Sequence, residues 1–290
     1  MNILLTGASG FIGQKLSHAL IKNGHTVTAC IHRNKRQIEP FSTQLQYRQV
    51  DYVQMHCAED WFSYLNEIDV VINAVGIIAE TKNQTFDQLH KLAPVQLFQA
   101  CEQLGVKRVI QISALGADET AVVPYHLSKK SADDALKKMD LEWFILRPSL
   151  IVGEGGVSFS LFKRLSNLPV ILLFGDGKQL IQPITIEEVV TTVLRCLDKN
   201  INTKKVIDLV GKNAISYKDW MVSLRSNQHC ARFLSMPMGL MMQFSKIGKF
   251  INLPLFNPDS LIMLQQNSVA DRNGLMAFLD KNEQTGEAKK

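Results

Sequence analysis

Three glycines close to the N-terminus, Gly7, Gly10 and Gly13, lie between a short apolar run and a stretch with helical spacing. Residues 3–5 predict a buried strand, and residues 11–21 carry apolar side chains at helical intervals. Glycines in such a turn let the backbone approach a pyrophosphate, and unpaired amides at the helix start supply positive potential. Although three glycines alone are a weak signal, strand, turn and helix together predict a dinucleotide site. The residues predicted to form it are Gly7, Ser9, Gly10, Phe11, Ile12 and Gly13.

Strand-like and helix-like segments alternate through the first half of the chain. The predicted strands cover 26–31, 45–50, 70–73, 108–112 and 143–146, and the predicted helices cover about 58–66, 85–104 and 125–139. Short apolar strands separated by helices favour a parallel sheet covered on both faces. We therefore expect an α/β protein with a Rossmann-type doubly wound parallel sheet, whose ligand lies at the carboxyl ends of the strands.

The alternation changes after Pro148, where glycines crowd together and a helical segment precedes an apolar run at 170–174. This change predicts a smaller C-terminal substrate lobe. The expected division is an NAD(P)-binding domain over 1–150, to which 185–212 returns, and a substrate or partner lobe over 151–184 and 213–280. The polar residues 281–290 are expected to form a flexible tail.

The composition excludes several classes of protein. A formal net charge of +5 is modest for 290 residues, and the basic residues are spread along the chain, so no nucleic-acid partner is expected. The seven histidines lack metal-site spacing, and no apolar run reaches the roughly twenty residues that span a bilayer. Five cysteines without a CxxC pair predict free thiols in a reducing compartment. Because the predicted site begins seven residues into the chain, we expect no leader and a cytoplasmic location.

The end of the second predicted strand is basic, with His32 and Arg33 followed by Lys35 and Arg36. A carboxylate at this place would bind the ribose hydroxyls of NAD, whereas an arginine favours the 2′-phosphate of NADP. The sequence therefore predicts NADP rather than NAD. The alternative is a solvated basic loop with no ligand.

Two further strand ends supply candidate cofactor contacts. Asp51 follows the third strand, where its carboxylate could accept a hydrogen bond from adenine or simply form a turn, and the two interpretations are equally supported. The fourth strand ends in small residues that allow close approach to the cofactor ribose, or that merely end the strand. These residues are Asn73, Ala74, Val75 and Gly76.

Tyr125 and Lys129 are spaced by one helical turn at the start of a predicted helix, so their side chains share a face. A tyrosine with a pKa near 10 is a poor acid–base group at neutral pH unless a cation lowers that value. Lys129 could do so while binding the nicotinamide ribose. Tyr125 could then protonate a carbonyl oxygen, or remove a hydroxyl proton in the reverse direction. Without such a role, both would be ordinary residues of a solvated helix face.

These features resemble the short-chain dehydrogenase/reductases of the extended or atypical kind. The chain most resembles the branch that contains the NAD(P)H-binding accessory subunit of respiratory complex I and its bacterial relatives. The resemblance implies that the three glycines hold the pyrophosphate, that Tyr125 is the acid–base and that Lys129 binds ribose. It also places Pro148 and Ile151 near the nicotinamide. The matching segments are 6–13, 73–74, 112–117 and 146–149, together with Tyr125 and Lys129.

One departure from the family pattern bears on catalysis. Active members usually carry a carbonyl-binding serine one place after Ser113, where this chain has Ala114. Ser113 is therefore the substitute candidate for that role. Loss of one such donor can cost on the order of a hundredfold in rate.

The segment 235–256 is rich in methionine and phenylalanine and has two lysines. It could be core or interface packing, a lid over an apolar substrate, or a surface that docks on a membrane or a protein partner. The leading function is an NADP-dependent oxidoreductase that acts on a carbonyl or secondary alcohol through Tyr125 and Lys129. The alternatives are a non-catalytic NADPH-binding assembly protein and a redox-sensing regulator.

Overall fold

A computed structural model describes residues 1–32, 41–226, 232–237, 239 and 258–280. Its strands are β1 (Asn2–Thr6), β2 (Thr26–His32), β3 (Leu45–Val50), β4 (Val70–Asn73), β5 (Arg108–Ile112), β6 (Glu142–Pro148), β7 (Ile151–Val152), β8 (Val170–Phe174), β9 (Leu180–Ile181), β10 (Ile184–Thr185), β11 (Lys205–Leu209), β12 (Ile215–Ser216) and β13 (Arg232–Met236). Seven of them form a central parallel sheet in the order β11-β6-β5-β4-β1-β2-β3.

The helices cover both faces of this sheet and the region beyond it. They are α1 (Phe11–Lys22), α2 (Glu59–Phe62), α3 (Ala93–Leu104), α4 (Pro124–Leu136), α5 (Val157–Ser166), α6 (Ile186–Arg195), α7 (Tyr217–Ser223), α8 (Pro258–Gln265) and α9 (Asn273–Leu279). A short 3-10 helix spans Tyr52–Gln54, and a π-helix spans Asp87–Leu92.

Alternate residues of each central strand enter two separate cores, as a sheet buried on both faces requires. On one face, Ile3 and Leu5 pack with residues of α1, α6 and α9; on the other, Leu4 packs with residues of α2, α3 and α4. Strand order reverses at β1, which lies between β2 and β4. The expected doubly wound fold is thus confirmed, and its ligand crevice is expected at the carboxyl ends of β1 and β4.

A third, smaller core lies outside the main sheet. It joins α5, β8, α7 and α8 around large side chains such as Phe162, Tyr217 and Trp220. Strand β8 pairs in parallel with β13, more than 60 residues later in the chain. This unit follows β6 in the chain, and the predicted division into two domains stays a prediction.

One part of the chain packs differently from the prediction. Strand β11 belongs to the stretch 185–212, which is expected to return to the main sheet, and it pairs with β6 in that sheet. Helix α9, by contrast, lies in the stretch 213–280 predicted for the lobe, yet Leu275 and Phe278 pack into the core of the main sheet. Their spacing of three gives a short helix one apolar stripe, and the edge strand β11 supplies the surface that buries it.

The predicted helices exist but are shorter. The helix predicted at 58–66 is regular only over Glu59–Phe62. After it, the amides of Tyr64 and Leu65 each donate to the carbonyl three residues earlier, which forms tight turns instead of a further α-helical turn. The helix predicted at 85–104 begins as the π-helix. Pro94 lacks an amide hydrogen and its ring crowds the carbonyl one turn earlier, which favours the wider turn before α3. The tail 281–290 and most of 235–256 lie outside the described residues.

Candidate active site

The turn after β1 has no room for side chains at two of its glycines. A Cβ atom on Gly13 would lie 2.2 Å from the Gly7 carbonyl oxygen, and one on Gly7 would lie 2.6 Å from the Ala74 carbonyl oxygen. Gly7 also has a φ of +70°, which side chains rarely adopt. At Gly10 the nearest atom would be 3.2 Å away, a milder constraint. Gly7 and Gly13 therefore bring β1, α1 and the loop after β4 into direct backbone contact.

Helix α1 begins without a side-chain cap and without an acidic residue in its first turn. The amides of Phe11, Ile12 and Gly13 have no carbonyl within the helix to bind, because helical hydrogen bonds begin one turn later. These donors and the positive end of the helix dipole face the crevice at which strand order reverses. A close-packed glycine turn below an uncapped helix start fits the pyrophosphate of a dinucleotide.

Asn73, the last residue of β4, is fully buried in a polar network. Its Oδ1 accepts hydrogen bonds from Thr6 Oγ1 at 2.7 Å and from the Tyr52 hydroxyl at 2.9 Å, and its Nδ2 donates to Gln111 at 2.7 Å. The side chain predicted to approach the cofactor is thus used inside the protein. It fixes the start of the loop formed by Ala74, Val75 and Gly76.

The other predicted nucleotide contacts lie at neighbouring strand ends. His32 is the last residue of β2, and Arg33 lies outside the described residues. Asp51 follows β3, and its Oδ1 accepts a hydrogen bond from the Val53 amide at 3.1 Å. Asp51 therefore forms the turn, and its contact with adenine stays a prediction.

Lys129 is buried at the carboxyl edge of the sheet, with 3% of its surface exposed. Its Nζ donates to the Val75 carbonyl at 3.0 Å and to the Ile112 carbonyl at 3.1 Å, which joins the ends of β4 and β5. Burial lowers the pKa of Lys129 to about 8, and the carboxylate of Asp133 opposes part of that shift. The ammonium lies beside Gly76, where an added Cβ would be 3.4 Å from Nζ.

Tyr125 lies one helical turn before Lys129, half-buried among aromatic rings. Phe86, His90 and His126 contact it edge-on, with ring centroids 5.3–5.7 Å from that of Tyr125. Its hydroxyl makes no hydrogen bond to any residue in the described part of the chain. Burial raises the pKa of Tyr125 to about 12, in place of the lowering by Lys129 that the sequence suggested.

The hydroxyl of Ser113 is directed to a buried carboxylate. It donates to Asp133 Oδ2 at 2.6 Å, and the same oxygen lies 3.7 Å from Arg147 Nε. Burial raises the pKa of Asp133 to about 6, although Ser113 and Arg147 both oppose the rise. With Ala114 buried as the next residue, the catalytic role predicted for Ser113 stays a prediction and requires that this hydrogen bond be broken.

The C-terminal end of β6 lies at the same edge of the sheet, two strands away from β4. The Pro148 carbonyl accepts a hydrogen bond from the Leu115 amide at 2.9 Å, and Ile151 in β7 pairs with Ile184. The loop 153–156 packs on the ring of Phe11, which would lie 3.1–3.6 Å from a Cβ added at Gly153, Gly155 or Gly156. The first residue of α1 is therefore covered by the chain that enters the lobe.

Sequence reasoning missed two buried residues of this site. Asp133 follows Tyr125 and Lys129 at the same four-residue spacing, so this signal was present in the sequence. His90 has no such signal, since it lies 35 residues from Tyr125 and reaches the site through the π-helix. Among the described residues, no three histidine, cysteine or acidic side chains cluster as a metal site would require.

A glycine turn at a strand-order reversal, with a tyrosine and a buried lysine at the neighbouring strand ends, defines a dinucleotide-binding protein of the Rossmann class. The comparison with protein families agrees: the model of a family described as NAD(P)H-binding matches residues 7–167, and the chain belongs to this family.

Curated relatives include subunit 9 of the NADH dehydrogenase (ubiquinone) 1 alpha subcomplex from Arabidopsis thaliana. It is 27% identical over 218 residues, covering 72% of this chain and 54% of that protein. The ceramide reductase of Caulobacter vibrioides is 26% identical over 170 residues, covering 58% and 52%. The chain thus spans about half the length of these relatives. The predicted resemblance to complex I accessory subunits is confirmed.

Among solved structures, the UDP-glucuronic acid 4-epimerase of Bacillus cereus, in complex with UDP-glucuronic acid and NAD, superposes with a TM-score of 0.67. It is 22% identical and covers 96% of this chain and 98% of that chain. This likeness shows a common fold. None of the helices in the described residues is long and apolar enough to cross a membrane.

Proposed function

We propose that the protein is an NADP(H)-dependent oxidoreductase that acts on a carbonyl or secondary alcohol. The observation that carries this proposal is the hydroxyl of Tyr125, which has no hydrogen-bond partner in the described residues and lies one helical turn from Lys129 at the ligand edge of the sheet. A hydroxyl left without a partner here is available to a substrate oxygen. With a pKa of about 12 it is protonated at neutral pH and acts as the donor in carbonyl reduction.

In this proposal, some of the described residues bind the cofactor and Tyr125 transfers the proton. The amides of Phe11, Ile12 and Gly13 would hold the pyrophosphate, and the loop Ala74 to Gly76 would lie along the ribose. A bound nicotinamide supplies or accepts the hydride. Lys129 Nζ holds the ends of β4 and β5 together and would donate a third hydrogen bond to the ribose. Tyr125 would give its proton to the carbonyl oxygen.

The preference for NADP(H) over NAD(H) rests on the basic residues that follow β2. Strand β2 ends at His32, beside β1 and the glycine turn, and Arg33 comes next in the sequence. A guanidinium there would bind a 2′-phosphate. Equilibrium binding should then give a dissociation constant at least tenfold lower for NADPH than for NADH, and Arg33→Ala should remove the difference. Equal constants in the wild type would contradict the assignment.

A second candidate is a non-catalytic NADPH-binding accessory protein. It is favoured by the Ser113 hydroxyl, whose hydrogen bond to Asp133 leaves the substrate carbonyl without the donor that active relatives place beside the tyrosine. The complex I subunits among the relatives support it as well. In this case a bound dinucleotide would stabilise the fold by mass action, and the protein surface would bind a partner.

One experiment separates the two candidates. NADPH oxidation is measured across aldehydes, ketones, quinones and nucleotide sugars for the wild type, for Tyr125→Phe and for Tyr47→Phe, which makes the same change on β3. The oxidoreductase predicts turnover that falls at least a hundredfold in Tyr125→Phe and is unchanged in Tyr47→Phe. Tight NADPH binding with no turnover on any substrate would favour the accessory protein. Equal turnover in all three proteins would contradict the role of Tyr125 as proton donor.

A further inference from the structure

His90 connects the loop after β4 to the start of α4. Its Nε2 accepts a hydrogen bond from the Ile77 amide at 3.0 Å, and its Nδ1 lies 3.1 Å from Ser128 Oγ. Ser128 Oγ donates in turn to the Tyr125 carbonyl at 2.8 Å. Because Nε2 accepts, Nδ1 carries the ring proton and donates to Ser128. The chain of donors thus runs in one direction, from the Ile77 amide to the backbone of Tyr125.

The surroundings of His90 keep this direction fixed. The residue is fully buried, and burial together with the ammonium of Lys129 lowers its pKa to about 2. The imidazole is therefore neutral throughout the physiological range. A neutral ring with one acceptor and one donor can satisfy both neighbours only in this tautomer.

The His90 ring also contacts the Tyr125 side chain. It stacks on Phe86 with centroids 5.3 Å apart and meets the Tyr125 ring edge-on at 5.4 Å, with an angle of 88° between the planes. Its backbone lies in the π-helix Asp87–Leu92, a wide turn that is often found at functional sites. His90 thus contacts the Tyr125 ring directly and is linked to the Tyr125 carbonyl through the Ser128 hydroxyl.

We propose that His90 is a positioning residue that sets the Tyr125 hydroxyl against the loop Val75 to Ile77, where the cofactor would lie. This inference rests on the proposed function, since it assigns a use to the placement of Tyr125. His90 itself reaches no substrate atom. Loss of the His90 side chain should displace the Tyr125 hydroxyl by a fraction of an ångström. The reaction rate falls steeply with such a displacement of a reacting group.

The kinetic test compares the wild type with His90→Phe, which keeps the stacked ring and removes both nitrogens, and with Ser128→Ala, which breaks only the second hydrogen bond. His90→Phe should lower kcat at least tenfold and change the KM for the carbonyl less than threefold. Ser128→Ala should lower kcat by a smaller factor, and the double variant should be no worse than His90→Phe. A kcat within twofold of the wild type in His90→Phe, or additive losses in the double variant, would overturn the proposal.

Amide hydrogen exchange gives a second measurement that needs no turnover. In His90→Phe the segments 75–79 and 123–128 should both exchange faster than in the wild type, because each is held from one end of the same imidazole. Faster exchange confined to 75–79 would overturn the proposal. If the wild type shows no turnover, the proposed function fails by itself, and the exchange result still decides whether His90 couples the two segments. If His90→Phe does not fold, Ser128→Ala must show the faster exchange at 123–128.

Discussion

At the scale of single residues, burial decides what the site can do. Tyr125 and Lys129 share a helix face as their spacing predicted, but the sequence could not show how far burial removes these two side chains from water. Desolvation raises the pKa of Tyr125 to about 12 and lowers that of Lys129 to about 8, the reverse of a tyrosine activated by its lysine. The tyrosine is therefore a proton donor at rest.

The raised pKa of Tyr125 predicts different pH profiles for the two directions of the reaction. Carbonyl reduction needs the protonated phenol, which is fully present below pH 8, so its rate should be flat from pH 6 to 8. Alcohol oxidation needs the phenolate, whose fraction rises about tenfold per pH unit well below the pKa, and its rate should rise accordingly. Initial rates in both directions at saturating cofactor measure this. An oxidation rate that levels off below pH 8 would contradict the assignment.

At the scale of elements, the sequence predicted most of what surrounds the site. All six strands expected in the first 150 residues form within two residues of the predicted ends. Apolar runs such as those of β1 and β4 suit a sheet covered on both faces. The π-helix was not predictable, since periodicity does not distinguish it from the helix that follows. His90 lies in that wide turn, and for this reason it could not be predicted from the sequence as a residue of the site.

The glycine turn gives a prediction at this scale. Gly13→Ala would force a Cβ to within 2.2 Å of the Gly7 carbonyl, so the turn must open. We expect a loss of about 1–3 kcal/mol in the free energy of unfolding and a rise of at least tenfold in the dissociation constant for NADPH. Urea unfolding and equilibrium binding measure the two effects.

Gly274→Ala in α9 is the matched control, because nothing lies within 4 Å of a Cβ at that position. Alanine favours the helix, so this variant should be as stable as the wild type or slightly more stable, with unchanged binding. Equal behaviour of the two variants would show that close packing at Gly13 does not shape the site.

At the scale of the whole molecule, long-range packing was the least predictable part. The pairing of β8 with β13 and the return of α9 to the main sheet join segments more than 60 residues apart, and no local pattern specifies such partners. A separate core lies around Phe162 and Trp220, whereas α9 packs on the main sheet. The domain division stays a prediction.

The central claim is that a dinucleotide binds at the carboxyl edge of β1 and β4, on the amides at the start of α1. Hydrogen exchange of the full chain with and without saturating NADPH tests it most directly. We predict protection of 7–14 and 74–78, together with a melting temperature that rises with NADPH concentration. Binding that leaves both segments unprotected, or no binding of either NADPH or NADH, would contradict the account.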